Sequence, residues 1–261
     1  MAPSPIIETR DLSKAYGRFG ALHRLSMAVP EGSVFALMGA SGAGKTTAIK
    51  ILLNLITATG GTATVCGVES RTIGPRALAQ IGYVSENQVL PVRLRVHDFF
   101  EYLRPCYARW DRDLEAELRD QLRLPPERRI GELSHGMRLK MALACALPFR
   151  PKLLVLDEPL SGLDALARDE IIDGFLRQAG RTTILISSHE LDEVERFATH
   201  VAFLHEGRLL FQGSVAALAE HARPLLLAAE RRGDRPSLRA IFVALVRAAR
   251  QSAAPPAGQS P

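Results

Sequence analysis

Residues 39–46 read Gly-Ala-Ser-Gly-Ala-Gly-Lys-Thr. The apolar run Ser33–Met38 leads into them and a helix-like stretch, Lys45–Ile56, leads out. Glycines let backbone N–H groups close around an anion without Cβ clashes. A helix N-terminus adds a partial positive charge at the same place. Gly39, Ser41, Gly42, Gly44 and Thr47 are therefore expected around bound phosphates. Lys45 is expected to reach the β- and γ-phosphates, and Thr46 to offer its hydroxyl to a divalent cation.

A second constellation lies far along the chain. Leu153-Leu154-Val155-Leu156 is an apolar strand that ends in Asp157-Glu158. Asp157 can hold the shell of a Mg²⁺ ion, usually through water. Glu158, one residue on, points elsewhere and can take a proton from an attacking water as general base. Together the two motifs describe a P-loop nucleoside triphosphatase. Kinases, GTPases, helicases and recombinases share them, so they fix the chemistry and not the role.

Leu133-Ser134-His135-Gly136-Met137 narrows the choice. A Ser and a Gly at a helix N-terminus form another anion site. Here the sequence resembles the ABC ATPase family, whose signature is LSGGQ. Leu133, Ser134 and Gly136 keep the pattern; His135 and Met137 depart from it. The resemblance runs from about residue 6 to 213. It implies ATP and Mg²⁺ as cofactors. It implies that Tyr16 stacks on adenine and that Ser161-Gly162-Leu163-Asp164 couples the two sites of a dimer. It implies that His189, after Ser187-Ser188, bonds the γ-phosphate and orients base and water. Ile81–Glu86 resembles the Q-loop with Glu86 in place of Gln, a substitution similar to the branch that exports drugs, lipids and polysaccharides. A carboxylate at Glu86 can still ligate the metal or its water.

The family resemblance also implies partners. ATP sits between the phosphate loop of one copy and the signature helix of another, so Ser134 and Gly136 would meet a nucleotide held by the partner copy. The implied assembly is a homodimer or heterodimer of ATPase subunits on a transmembrane permease subunit, peripheral on the cytoplasmic face of the membrane. The permease would dock beside the Q-loop, near Val89–Tyr102, with Arg93 and Arg95 at a rim. Two other readings stay open. One is a soluble non-transport ATPase of the same family; the gap from Thr47 to Leu133 shows no sustained heptads that would favour it. The other is a regulatory domain that binds ATP without turnover; the presence of Glu158 and His189 speaks against it.

The elements that must position these residues alternate between strand and helix. Ile6–Leu12, Leu25–Val29, Thr62–Cys66, Ile81–Val84 and Thr183–Ser187 read as further strands, and Ala165–Ala179 and Glu190–Phe197 as helices. The alternation predicts an α/β fold: a P-loop core with a mostly parallel sheet, an N-terminal antiparallel β subdomain and an inserted all-helical subdomain. Leu114, Leu118 and Leu122 stripe one face of that insertion. The expected organisation is an ATPase domain over 1–213 with helices inserted at about 87–150, a helical extension over 214–249, and a disordered tail over 250–261.

Composition excludes other classes. The 261 residues carry a net charge of +5 with Lys and Arg scattered, so no basic stripe for nucleic acid is formed. Cys66, Cys106 and Cys145 are far apart and form no CxxC, which gives neither a disulfide framework nor a zinc site. Met1–Arg10 lacks the apolar core of a signal peptide. No uncharged apolar run approaches the ~18–20 residues that span a bilayer. Met141–Phe149 comes nearest, bracketed by Lys140 and Arg150.

Overall fold

A computed structural model describes residues 4–226 and 237–253. The chain opens with a hairpin, β1 (Ile7–Tyr16) and β2 (Phe19–Val29). Gly17, at φ +59, makes the turn. Strand β3 (Val34–Met38) feeds the glycine loop and α1 (Lys45–Leu52). That helix stops four residues short of the expected Ile56, because Asn54 takes a left-handed backbone, φ 56. Next come β4 (Gly60–Val65), β5 (Val68–Glu69), the short α2 (Pro75–Leu78) and β6 (Ile81–Ser85). A helical stretch follows, with α3 (Val96–Leu103), α4 (Arg112–Gln121) and α5 (His135–Ala146). The core resumes with β7 (Leu153–Asp157), α6 (Ala165–Leu176), β8 (Thr183–Ser188) and α7 (Leu191–Val194). It closes with β9 (His200–His205), β10 (Arg208–Ser214), α8 (Val215–Leu226) and α9 (Leu238–Ala253).

Two sheets form. The antiparallel one has the order β2-β1-β4-β5. The other has the order β10-β9-β3-β8-β7-β6, parallel except where β10 folds back on β9 through Glu206-Gly207. This is the α/β class expected, with helices between β6 and β7. Every residue of β3, β7 and β8 is buried. Their alternate side chains therefore feed two apolar layers. Phe35, Leu37, Val155 and Leu185 pack with α1 and the antiparallel sheet. Ala36, Met38, Leu154, Leu156, Ile184 and Ile186 pack with α3 to α6 and α9. Each fully buried Leu, Ile or Phe contributes about 2 kcal/mol, so the central strands anchor whatever their ends carry.

Other boundaries also differ from expectation. Only Leu191–Val194 of the expected Glu190–Phe197 helix is regular. β1 runs on to Tyr16, so that tyrosine sits at a strand end. And α9 continues to Ala253, past the expected limit at 249, since Arg, Gln and Ala are good helix formers. The remainder of the expected tail, 254–261, lies outside the described residues.

A buried carboxylate ties the helical stretch together. Glu115 on α4 accepts from Arg104 Nε and Nη2, both at 2.8 Å, from Trp110 Nε1 at 2.8 Å and from Arg119 Nη1 at 3.2 Å. Burial alone would push this carboxyl up; the hydrogen bonds and charge of Arg104, with Trp110 and Arg119, outweigh it and hold the group below its ordinary range. Asp111 caps α4 by accepting from Leu114 N–H at 2.8 Å, and its carboxyl is lowered by that bond and by Arg150. Glu115→Gln leaves two guanidinium groups underpaired and is expected to destabilise the protein by about 3 kcal/mol in urea titration. Because the folded carboxyl titrates low, its contribution is present above the unfolded value and lost as pH falls through the folded one. The gap between wild type and variant should therefore shrink below about pH 4.

Candidate active site

The loop between β3 and α1 has a shape that only glycine permits at its ends. A Cβ on Gly44, at φ +104, would meet Ala21 O at 2.6 Å and Leu22 Cδ2 at 2.8 Å; one on Gly39 would meet Leu204 O at 2.4 Å. The hairpin and β9 thus press against the loop from behind and hold its N–H groups towards the open side. Lys45 opens α1 and is only 5% exposed. Its Nζ donates to Gly39 O at 2.7 Å and Ala40 O at 3.1 Å, and pairs with Glu158 Oε1 at 3.0 Å.

The acidic pair sits where β7 ends. Parallel register sets Asp157 beside Ser187 on β8, and Ser187 beside Leu37 on β3. Thr46 Oγ1 donates to Asp157 Oδ1 at 3.1 Å, which joins the start of α1 to the end of β7. Glu158 follows in a left-handed conformation, φ 52, which turns its side chain away from that of Asp157. His189 Nδ1 lies 2.8 Å from Glu158 Oε2. Facing a carboxylate, Nδ1 is the nitrogen that carries the proton. Glu158 is therefore held between a cation and an imidazole.

A cavity of about 560 Å³ opens over these groups. Its walls include Tyr16, Ser41, Gly42, Gly44, Lys45, Thr46, Thr47, Glu86, Glu158 and His189. Gly39 lies just outside, on the wall of a neighbouring cavity, and Asp157 lies beneath the floor, 5% exposed. Tyr16 is 49% exposed, with Lys14 Nζ 5.0 Å above its ring. Ser134, Gly136 and Asp164 do not line it. Ser134 caps α5 through Met137 N–H at 3.2 Å, and Asp164 caps α6 through Ala167 N–H at 2.8 Å. Gly136 rests where a Cβ would touch Leu163 and Ala167, which sets the start of α5 against the start of α6. Two wall residues carried no expectation from sequence. Phe19 is a solvent-facing aromatic across the hairpin from Tyr16, and its place beside that tyrosine was the available signal. Ala21 enters because its strand backs the glycine loop.

Among the described residues no group of three or more His, Cys, Asp or Glu could hold a metal by itself. Thr46 Oγ1 and Asp157 Oδ1 are hard oxygens 3.1 Å apart, and Glu86 shares the cavity wall. Such a set suits a hard divalent cation that takes its remaining ligands from phosphate and water. The glycine loop with Lys45, the Glu158–His189 pair and the Thr46 and Asp157 oxygens thus gather around one cavity.

The family profile described as ABC transporter matches residues 22–161. The chain belongs to the ABC transporter family. Within it the chain is an ATP-binding subunit and an ATPase. Over 223 residues it is 31% identical to the bacitracin transport ATP-binding protein BcrA of Enterococcus faecalis, a match covering 84% of this chain and 72% of that one. It is 33% identical over 212 residues to the lantibiotic transport ATP-binding protein SrtF of Streptococcus pyogenes, covering 79% of this chain and 90% of that one. A solved structure described as the ATP binding subunit of an ABC transporter superposes with a TM-score of 0.80 at 26% identity, covering 92% of this chain and 99% of the other.

Among the described residues Lys45 is the one cation buried against the loop carbonyls and Glu158, so it has the most to offer a phosphate. Lys45→Ala is expected to weaken ATP binding at least tenfold in isothermal titration, a loss of about 1.4 kcal/mol or more, while the circular dichroism spectrum stays unchanged.

Proposed function

We propose that this ABC transporter subunit hydrolyses ATP in the cavity above Lys45, with Glu158 as base, and that the energy drives export through a separate membrane-spanning subunit. The observation that carries the reading is the meeting of Lys45, Glu158 and His189, with Glu158 Oε1 3.0 Å from Lys45 and Oε2 2.8 Å from His189. Phosphate oxygens entering the loop compete with Glu158 for Lys45. A released Glu158 carboxylate can then accept a proton from water placed beside it. His189, hydrogen-bonded to the same carboxylate, keeps it from swinging out of line. Tyr16 and Phe19 offer an aromatic edge for the base. Thr46, Asp157 and Glu86 would hold Mg²⁺, which supplies charge neutralisation on the phosphates.

Ser134, Gly136 and Asp164 support a dimeric reading. None of them lines the cavity, and the starts of α5 and α6 lie against each other, so a second copy, identical or not, is read as bringing them to a nucleotide. The site is then complete only when two copies close, which makes turnover depend on assembly. We take residues 1–213 as the ATPase unit with its helical insertion near 87–150, and 214–249 as an extension.

Export is favoured by Glu86 and by the relatives named for bacitracin and lantibiotic transport. Among the described residues no helix is long and apolar enough to cross a membrane. The membrane-spanning subunit is therefore read as a separate chain, with this one on the cytoplasmic face. Its docking site is placed at the start of the helical stretch. There Val89 is 95% exposed, with Val92 and Tyr102 also open, whereas Leu90 and Phe100 are core residues. Arg93 is exposed at the rim, and Arg95 pairs with Glu127.

The test is a tagged Glu158→Gln variant, purified from membranes in Mg-ATP. Turnover should fall at least about 100-fold, while ATP stays bound and a multi-span chain co-purifies in stoichiometric amount. A dimer that forms with no membrane chain, from cells expressing the neighbouring membrane genes, would sink the transport reading and favour a soluble ATPase. Arg93→Glu with Arg95→Glu should cut co-purification at least fivefold, with the ATPase rate of the isolated subunit within twofold of wild type.

A further inference from the structure

Ser187 is a polar residue with no exposed surface, and its hydroxyl touches both halves of the acidic pair. Ser187 Oγ lies 2.6 Å from Asp157 Oδ1 and 3.0 Å from the backbone nitrogen of Glu158. The directions are fixed by chemistry. A carboxylate only accepts and an amide only donates, so the single hydroxyl proton goes to Asp157 and a lone pair receives Glu158 N–H. Ser187 O also accepts from Glu158 N–H, at 3.2 Å. One residue thus holds that amide with both its main chain and its side chain. The held amide belongs to a left-handed, non-glycine residue. Such a backbone costs about 1–2 kcal/mol and persists only where its surroundings over-determine it.

We propose that Ser187 is a positioning residue for hydrolysis: it fixes the Asp157 carboxylate against Thr46 and pins the turn that aims Glu158 at Lys45 and His189. The proposal deepens the ATPase reading above and rests on it. With Ser187 in place, Asp157 Oδ1 accepts from two hydroxyls, Ser187 and Thr46, and has little freedom to rotate. Without the hydroxyl, Asp157 keeps the Thr46 bond alone, and Glu158 N–H keeps the weaker backbone contact. The contacts of Lys45 with Gly39 O and Ala40 O involve no atom of Ser187, so the phosphate cradle stays intact.

The experiment compares the full-length chain as wild type, Ser187→Ala, Asp157→Asn and the double variant. Alanine removes one atom and introduces no clash, and thermal unfolding confirms the fold of each. Four quantities are read: kcat, KM, ATP affinity in EDTA, and the Mg²⁺ concentration that half-tightens binding of a non-hydrolysable ATP analogue. Groups that orient metal ligands cost about 10- to 100-fold when removed. For Ser187→Ala, kcat should therefore fall about 10- to 100-fold with KM within threefold. Affinity in EDTA should stay within twofold, and the Mg²⁺ midpoint should rise at least fivefold. In the Asp157→Asn background the same change should move the midpoint less than twofold, because both act through one carboxylate. A Ser187→Ala enzyme with kcat within twofold of wild type, an EDTA affinity that falls as far as kcat, or an additive midpoint shift would each overturn the proposal. A wild-type chain that binds ATP without turnover would instead overturn the ATPase reading, and the Mg²⁺ midpoints would still decide the role of Ser187.

Discussion

The parallel pairing of β3, β8 and β7 is the constraint on which the site depends. In that register Leu37, Ser187 and Asp157 fall in one row, and Ser85 on β6 extends it. Each strand ends at the same edge, so the glycine loop, His189 and an acidic pair leave the sheet side by side. The row survives because the strands beneath it are buried on both faces. A slip of one residue would exchange the side chains of the two apolar layers and break the row.

At that edge the charges satisfy one another. A buried ammonium needs partners, and Lys45 finds two carbonyls and Glu158. Glu158 needs partners too, and finds Lys45 and His189. The arrangement explains how an ammonium and a carboxylate can sit together in a half-enclosed cavity. In the proposed mechanism the same pairing links binding to chemistry, because a phosphate that takes Lys45 frees one oxygen of the base.

The helices set limits on what one chain does alone. The caps of α5 and α6 use the side chains of Ser134 and Asp164 on their own backbones. Glu115 locks α3, α4 and the loop between them into one body through Arg104, Trp110 and Arg119. At the other end of the chain, α9 buries Leu238, Ile241 and Leu245 in the main apolar layer. Its Phe242 ring sits 5.3 Å from that of Phe203 on β9, and its first N–H donates to Glu195 just beyond α7. That helix is therefore packed into the ATPase core, on the same side as His189.

The glycine loop and the acidic strand end were legible in the sequence because each is a local pattern, whereas His189 was marked only by the family resemblance. Glycines fix the loop, an apolar run fixes a buried strand, and position at the strand end fixes the carboxylates. The alternation of strand and helix likewise gave the α/β class, since burial on both faces leaves its mark on every residue of a strand. Helix ends were less legible. Asn54 and the true end of α9 depend on backbone choices that composition only biases. Three things were decided by tertiary structure alone. One was the row that sets Ser187 against Asp157 and Glu158, because register across a parallel sheet is a long-range property. Another was the wall formed by Phe19 and Ala21, because the hairpin reaches the loop through space. The last was the approach of Gly136 to Leu163 and Ala167, which sets the start of α5 against the start of α6, because the direction in which a helix N-terminus faces is set by what the helix packs against.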